Sequence, residues 1–240
     1  MGRSILPVAL LVAWWATASA NPRVYVPNGG NVSVMDTSTD SVIATIPLST
    51  GASGGVAAAA SRVYVGHAYQ GSVAVLDVGR NTVSSIIRFP DLFQGIQAIA
   101  LSPDGRRAFA SVGNQVSIID TTSNTVSAGP YVGRPLGLAV HPDGTRLYVA
   151  SVDTSKLAVI DIATNTVTAN IDVDPYAHAV LVHPDGTRVY VTSTTGTVSV
   201  VDTATNVASM KFAVGSEPFG IAVHPDGTRL YVTDVQRRSS

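Results

Sequence analysis

Cysteine is absent from all 240 residues, which excludes disulfides, thiolate metal ligands and a cysteine nucleophile, and leaves stability to packing and hydrogen bonds. Glutamate occurs once, at Glu217, and lysine twice, at Lys156 and Lys211. Every other acid is an aspartate, a residue that favours turns where glutamate favours helices. Beyond residue 20 no stretch of ten or more residues carries a 3.6-residue apolar period, and none approaches the roughly 20 consecutive apolar residues of a membrane-spanning helix. The charged fraction is 13% and the formal net charge −1, so there is no basic stripe for a polyanion and nucleic acid is not expected as a partner. Arg237 and Arg238 are the strongest local basic feature and read as a charged tail. A Gly-x-Ser-x-Gly elbow and a haem motif are missing as well.

What is present begins with an export signal. Arg3 precedes an apolar run from Ile5 to Ala16 that closes on Ala18-Ser19-Ala20, the pattern of a secretory leader cleaved after a small-x-small site. Residues 1–20 are therefore expected to be removed, leaving a mature domain over 21–240 in the periplasm or outside the cell. Both tryptophans, Trp14 and Trp15, lie in the leader, so processing should remove nearly all indole absorbance.

The mature region repeats itself. Val-His-Pro-Asp-Gly-Thr-Arg occurs at Val140 to Arg146, Val182 to Arg188 and Val223 to Arg229, with a weaker copy at Leu101 to Arg107. An aromatic follows in register at Tyr25, Tyr64, Phe109, Tyr148, Tyr190 and Tyr231, at separations of 39, 45, 39, 42 and 41 residues. Periods near forty mark propellers and solenoids. Each period holds four strand-length runs, as at Leu136 to Val140, Arg146 to Ala150, Leu157 to Asp161 and Thr166 to Ile171. Pro142-Asp143-Gly144 joins the first two, with Pro presetting φ, Asp bonding the backbone and Gly accepting positive φ. The same roles fall to Pro184, Asp185 and Gly186, and to Pro225, Asp226 and Gly227. Asp161 to Asn165 joins the last two runs, as a turn in which Asp binds amides and Asn takes the left-handed region. Four antiparallel strands per repeat make the blade of an all-β propeller. The first run alternates small and aliphatic residues, as in Gly137-Leu138-Ala139-Val140, which suits strands crowding toward an axis.

On Arg-Leu-Tyr-Val-Thr at Arg229 to Thr233, the Pro-Asp-Gly turn, and Val198 to Asn206, the chain resembles the YVTN repeat. The resemblance covers nearly all of the mature region. It implies the YncE-like family of seven-bladed propellers, exported proteins of bacteria and archaea, and says little about activity. Counted in strands, the chain enters on a second strand at Arg23 to Val26, completes four blades and ends after another second strand, about five and a half repeats. Seven repeats need about 290 residues at this period. A chain this short is expected to form a small strained ring, to self-associate through unclosed blade faces, or to be a truncated gene product, since open apolar faces above a few hundred Å² are rare on monomers.

Candidate sites divide into repeated and unrepeated positions. His141, His183 and His224 recur at the base of the same hairpin, and Asp36, Asp77, Asp120, Asp161 and Asp202 each end a third strand. Both sets read as turn residues, and no metal site is expected from them. Asp172 and Asp174 lack the remaining ligands of a calcium loop. Gly51 to Gly55 is glycine-rich without phosphate-binding spacing, so no cofactor is expected. The crossovers and second-to-third strand loops do vary, and recognition is grafted onto such loops. There, Arg134, Tyr176 and Glu217 share one position, and Gln97, His178 and Phe219 share another two residues on. Together they suggest a polar and aromatic funnel for a small anionic or amphipathic ligand, joined by the loop Gly66 to Gly71 and the insertion at 91–94.

Three functions compete. The first is a non-catalytic scaffold that binds an unknown protein or small ligand on the variable face. The second is a lactonase-like hydrolase using Glu217, His178 and Arg134, for which no acid and base pair of recognisable spacing is visible. The third is an accessory role beside periplasmic redox enzymes, in which a partner supplies all electron chemistry.

Overall fold

The computed structural model describes residues 22–52, 54–89 and 95–235. The expected leader, Ser53, the insertion at 91–94 and the basic tail at 237–238 lie outside the described residues. The chain divides into two compact units, Met1–Ile99 and Ala100–Ser240, and all described regular structure is β-strand.

In the first unit, β1 (Arg23–Pro27), β2 (Gly29–Asp36) and β3 (Ser41–Ala52) form a three-stranded sheet. It is followed by the four-stranded sheet of β4 (Val56–Ala58), β5 (Arg62–Gly66), β6 (Ser72–Asp77) and β7 (Thr82–Arg88). Another four-stranded sheet is formed by β8 (Ile96–Leu101), β9 (Arg107–Val112), β10 (Gln115–Asp120) and β11 (Thr125–Tyr131). Two further four-stranded sheets follow in the second unit. One holds β12 (Pro135–Val140), β13 (Arg146–Ser151), β14 (Lys156–Asp161) and β15 (Thr166–Asp172). The other holds β16 (Ala177–Val182), β17 (Arg188–Ser193), β18 (Thr197–Asp202) and β19 (Val207–Ala213). A two-stranded sheet of β20 (Pro218–Val223) and β21 (Leu230–Asp234) ends the described chain. Strands pair with their sequence neighbours throughout, so each sheet is a meander and each is one blade. The strand count from the repeat, a second-strand entry, four whole blades and a second-strand exit, is the count observed.

Alternation decides which side chains join blades. In β13, Tyr148 and Ala150 point one way and pack with Leu157 and Val159 against Val189, Val191 and Val201 of the next blade. The same joint recurs in the first unit, where Tyr25, Val32 and Val34 meet Val63, Val65 and Leu76. Middle strands are buried on both faces and read as continuous apolar runs, as in Leu157 to Ile160. Outer strands are largely exposed, β19 along most of its length. At the inner edge the blades approach backbone to backbone. A Cβ on Gly137 would lie 2.4 Å from the His178 carbonyl oxygen, and one on Gly55 would lie 2.4 Å from the Ile99 amide. The glycine-rich segment before β4 therefore serves close strand packing.

Outer strands share a further device. Ser85 and Val83 of β7 oppose Val75 and Leu76 of β6, which leaves Ser84 as an extra, bulged residue. Thr168 and Ser209 are displaced in the same way in β15 and β19. Each bulged hydroxyl donates to a carbonyl of the adjacent middle strand: Ser84 to Val75 at 2.9 Å, Thr168 to Val159 at 3.2 Å and Ser209 to Val200 at 3.3 Å. A bulge bends the strand and breaks the ladder at an edge.

Candidate functional site

The repeated hairpin end is built by short-range chemistry. In the Pro-Asp-Gly turn the Gly144 amide donates to the His141 carbonyl at 2.8 Å, and Gly144 has φ +76°. The Asp143 carboxylate accepts from the Thr145 amide at 2.8 Å and the Thr145 hydroxyl at 2.7 Å. The second hairpin repeats the logic, with Asp161 accepting from the Thr164 amide and hydroxyl and Asn165 at φ +55°. Amide and hydroxyl donors hold these carboxylates below the ordinary range. The Thr187 amide and hydroxyl, aided by His183, take Asp185 down to about 2, and the Thr228 hydroxyl and amide, aided by His224, do the same for Asp226.

The histidines have a second task. His141 places Nδ1 2.7 Å from its own turn carboxylate, Asp143, and Nε2 2.8 Å from the Gly186 carbonyl in the turn of the next blade. His183 does the same with Asp185 at 2.7 Å and Gly227 at 3.0 Å. The ring also stands where a side chain at Gly186 would begin, 2.8 Å from a Cβ placed there, so glycine is demanded both by φ and by its neighbour. Arginines at the head of second strands add a parallel link. Arg107 donates to the Ile162 carbonyl at 2.7 Å and Arg146 to the Thr203 carbonyl at 2.5 Å. Within the first unit Arg23 donates to the Val78 carbonyl at 2.7 Å. All three acceptors are the residue after a third-strand aspartate. The turn role expected for the histidines is present, and the inter-blade bridges are what sequence reasoning missed. Arginine two residues before each aromatic was the available signal. Asp172 and Asp174 face the chain's two lysines: Asp172 pairs with Lys156, and Asp174 lies 3.2 Å from Lys211.

The opposite end carries the crossovers and the loops between second and third strands. Arg134 is exposed in the crossover before β12, its Nε 3.6 Å from Asp153 in the β13–β14 loop. Tyr176 holds φ +56°, a conformation uncommon for a bulky residue, and the residue is 58% exposed. The backbone amide of Glu217 donates to the Asp234 carboxylate at 2.7 Å. His178 and Phe219 stand not in loops but as the second residues of β16 and β20, where register shifts interrupt pairing with β17 and β21. The two meet: their ring centroids lie 4.5 Å apart at 72°, edge to face, and His178 Nδ1 is 3.2 Å from the Phe219 carbonyl oxygen. Burial holds the His178 pKa below its ordinary value, and against a carbonyl oxygen Nδ1 is the donor in this contact. Gln97 is exposed at the second position of β8, within the first unit. His178 and Phe219 are thus brought together, while Arg134 turns to Asp153. Tyr131, at the crossover end of β11 and opposite Gln115, is 73% exposed and was not singled out from the sequence. It lies outside the aligned positions, so comparing blades did not reveal it. Among the described residues no cluster of three or more His, Cys, Asp or Glu could hold a metal ion, and no helix is long and apolar enough to cross a membrane.

Repeated four-stranded meanders joined face to face are the blades of a β-propeller. The chain is similar to a solved chain of Kuenenia stuttgartiensis hydrazine synthase, with 22% identity and a TM-score of 0.75 over 88% of this chain and 70% of that one. At that identity the likeness is one of fold. No protein-family model and no curated protein matches the chain.

Proposed function

We propose that this is an exported binding scaffold of the YVTN type, whose crossover face receives its ligand and whose hairpin end only holds the blades together. The observation that carries this reading is the contrast in use of polar groups. At the hairpin end the histidines, aspartates, threonines and arginines are engaged within turns or between blades. At the crossover end of the second unit Tyr131, Tyr176 and the Arg134–Asp153 pair stand exposed and differ from blade to blade. Function concentrates on variable loops held by a rigid frame. The leader supports a periplasmic or extracellular site of action. The test is photo-crosslinking in intact cells, with a reactive residue placed at Tyr176 or, on the hairpin face, at Thr164. Adducts from position 176 alone support the assignment, and adducts from 164 alone, or from neither, overturn it.

The hydrolase reading has less support. The imidazole it needs is turned to Phe219 and the guanidinium to Asp153, and a general acid or base must reach the atoms it serves. An accessory role beside redox enzymes draws on the YVTN resemblance; the likeness to a hydrazine synthase chain, at 22% identity, adds fold and nothing further.

A further inference from the structure

The hairpin between β1 and β2 turns on the chain's one Asn-Gly step, Asn28-Gly29. Asn28 and Gly30 are exposed. The Gly30 amide donates to the Asn28 carbonyl at 2.9 Å across Gly29 at φ +75°, the bond and dihedral of a strained three-residue turn. A Cβ placed on Gly29 would meet nothing within 4 Å, so open space surrounds it. The Asn28 carboxamide is held by its nitrogen, for Nδ2 donates to Ser33 Oγ at 2.7 Å and to Asn31 Oδ1 at 3.3 Å.

We propose that Asn28 is a site of self-modification, where the chain converts a neutral amide into a carboxylate with the help of Ser33. The Gly29 backbone nitrogen attacks Asn28 Cγ. The N–Cγ bond forms as the Cγ–Nδ2 bond breaks, the Gly29 nitrogen gives up its proton, Nδ2 leaves as ammonia, and a five-membered succinimide remains. Water then opens the ring at either carbonyl to give aspartate or isoaspartate, so amide and water become carboxylate and ammonium with no change of oxidation state. Ser33 acts at the departure. As Nδ2 turns from amide to amine it needs a proton, and a hydroxyl able to supply one, and to regain it from solvent, already stands at 2.7 Å, within the reach of general acid catalysis. The following glycine matters because a side chain on the attacking residue crowds its amide, most of all a β-branched one. Asn81, Asn124 and Asn206 precede Thr82, Thr125 and Val207, and their carboxamide oxygens are buried. The Asp-Gly turns compete poorly, since carboxylates held ionised by turn donors, as at Asp185 and Asp226, are weak electrophiles. The product places a negative charge, and in the isoaspartate form an extra main-chain carbon, in a loop between second and third strands.

Ageing the purified full chain in warm neutral buffer, folded and in urea, and mapping its peptides by mass spectrometry reads each asparagine separately. Acid at position 28 should accumulate in the folded chain while Asn81, Asn124 and Asn206 are still amides, and N28Q should abolish the acidic form seen on isoelectric focusing. S33A should slow conversion in the folded chain and leave the rate in urea unchanged, whereas mere loosening of the hairpin would speed it. Asn28 intact in the folded chain when it has been consumed in urea, or an earlier loss at another asparagine, overturns the site. Equal or faster conversion of folded S33A overturns the part given to Ser33.

Discussion

The joints between blades and the crossover face are made from the same repeat, yet they use their side chains in opposite ways. At a joint, Tyr148 is fully buried against the following blade and His141 and Arg146 reach across to its carbonyls. On the crossover face Tyr131 and Tyr176 are more than half exposed, and so are the side chains of both Arg134 and its partner Asp153. Aromatic, cation and hydrogen-bonding group occur at both places. What separates them is whether a neighbouring blade satisfies them, and that divides residues that hold the fold from residues free to meet something else.

The widest gap should appear on truncating tyrosines. Tyr148→Ala removes a buried aromatic and should cost about 3–5 kcal/mol, against about 0.5 kcal/mol or less for Tyr131→Ala at the surface. Urea denaturation reads both, and equal losses would erase the distinction. The Tyr148 hydroxyl is buried with no hydrogen-bond partner among the described residues, so Tyr148→Phe should leave stability unchanged or raise it.

Arginines should separate next. Arg146→Met leaves the Thr203 carbonyl short of a charged donor and should cost about 1.5–3 kcal/mol. Arg134→Met breaks an exposed pair worth about 0–1 kcal/mol. A smaller contrast lies within one motif. His141→Ala deletes a bridge between turns and should cost about 1 kcal/mol. His224 meets its own Asp226 at 2.8 Å and is more exposed, so His224→Ala should fall within about 0.5 kcal/mol of the wild type. Thermal melts of the two variants side by side check this.

Acid should give the smallest and broadest effect. Asp185 and Asp226 are lowered from 3.8 to about 2 in the folded chain. A depressed carboxylate contributes stability that is present above its unfolded pKa and lost as pH falls through the folded one. The melting temperature should therefore be flat with respect to these groups above about pH 4 and fall toward pH 2. Asp185→Asn should flatten part of that decline.

Most of the fold was legible because the repeat multiplies weak signals. One Pro-Asp-Gly is only a turn; three in register, each followed by Thr-Arg-x-Tyr, define a blade and its first hairpin. Register within the blade followed from alternation, and the observed strands extend the expected ones by a residue or so, as in β14 at Lys156–Asp161. The bridges were not legible, since the acceptors of His141 and Arg146 lie 45 and 57 residues away and are carbonyls, which leave no mark in side-chain identity. The candidate face was legible only in part. Comparing aligned positions flagged Arg134 and Tyr176, whose exposure the structure shows, and His178 with Phe219, which pack on each other within the inner strands. Tyr131 escaped because exposure at the end of an outer strand depends on how the chain leaves the sheet.

The displaced hydroxyl residues of the outer strands, Ser84, Thr168 and Ser209, have a consequence for how such a protein avoids sticking to copies of itself. A straight fourth strand offers its free amides and carbonyls to any passing extended chain, and stacking then proceeds without limit. The kink shifts the spacing of those groups by one residue, so the outer edges of these three blades present a broken ladder. Straightening the kink, by deleting Thr168 for example, should leave a chain that still folds but gels or forms fibrils on standing.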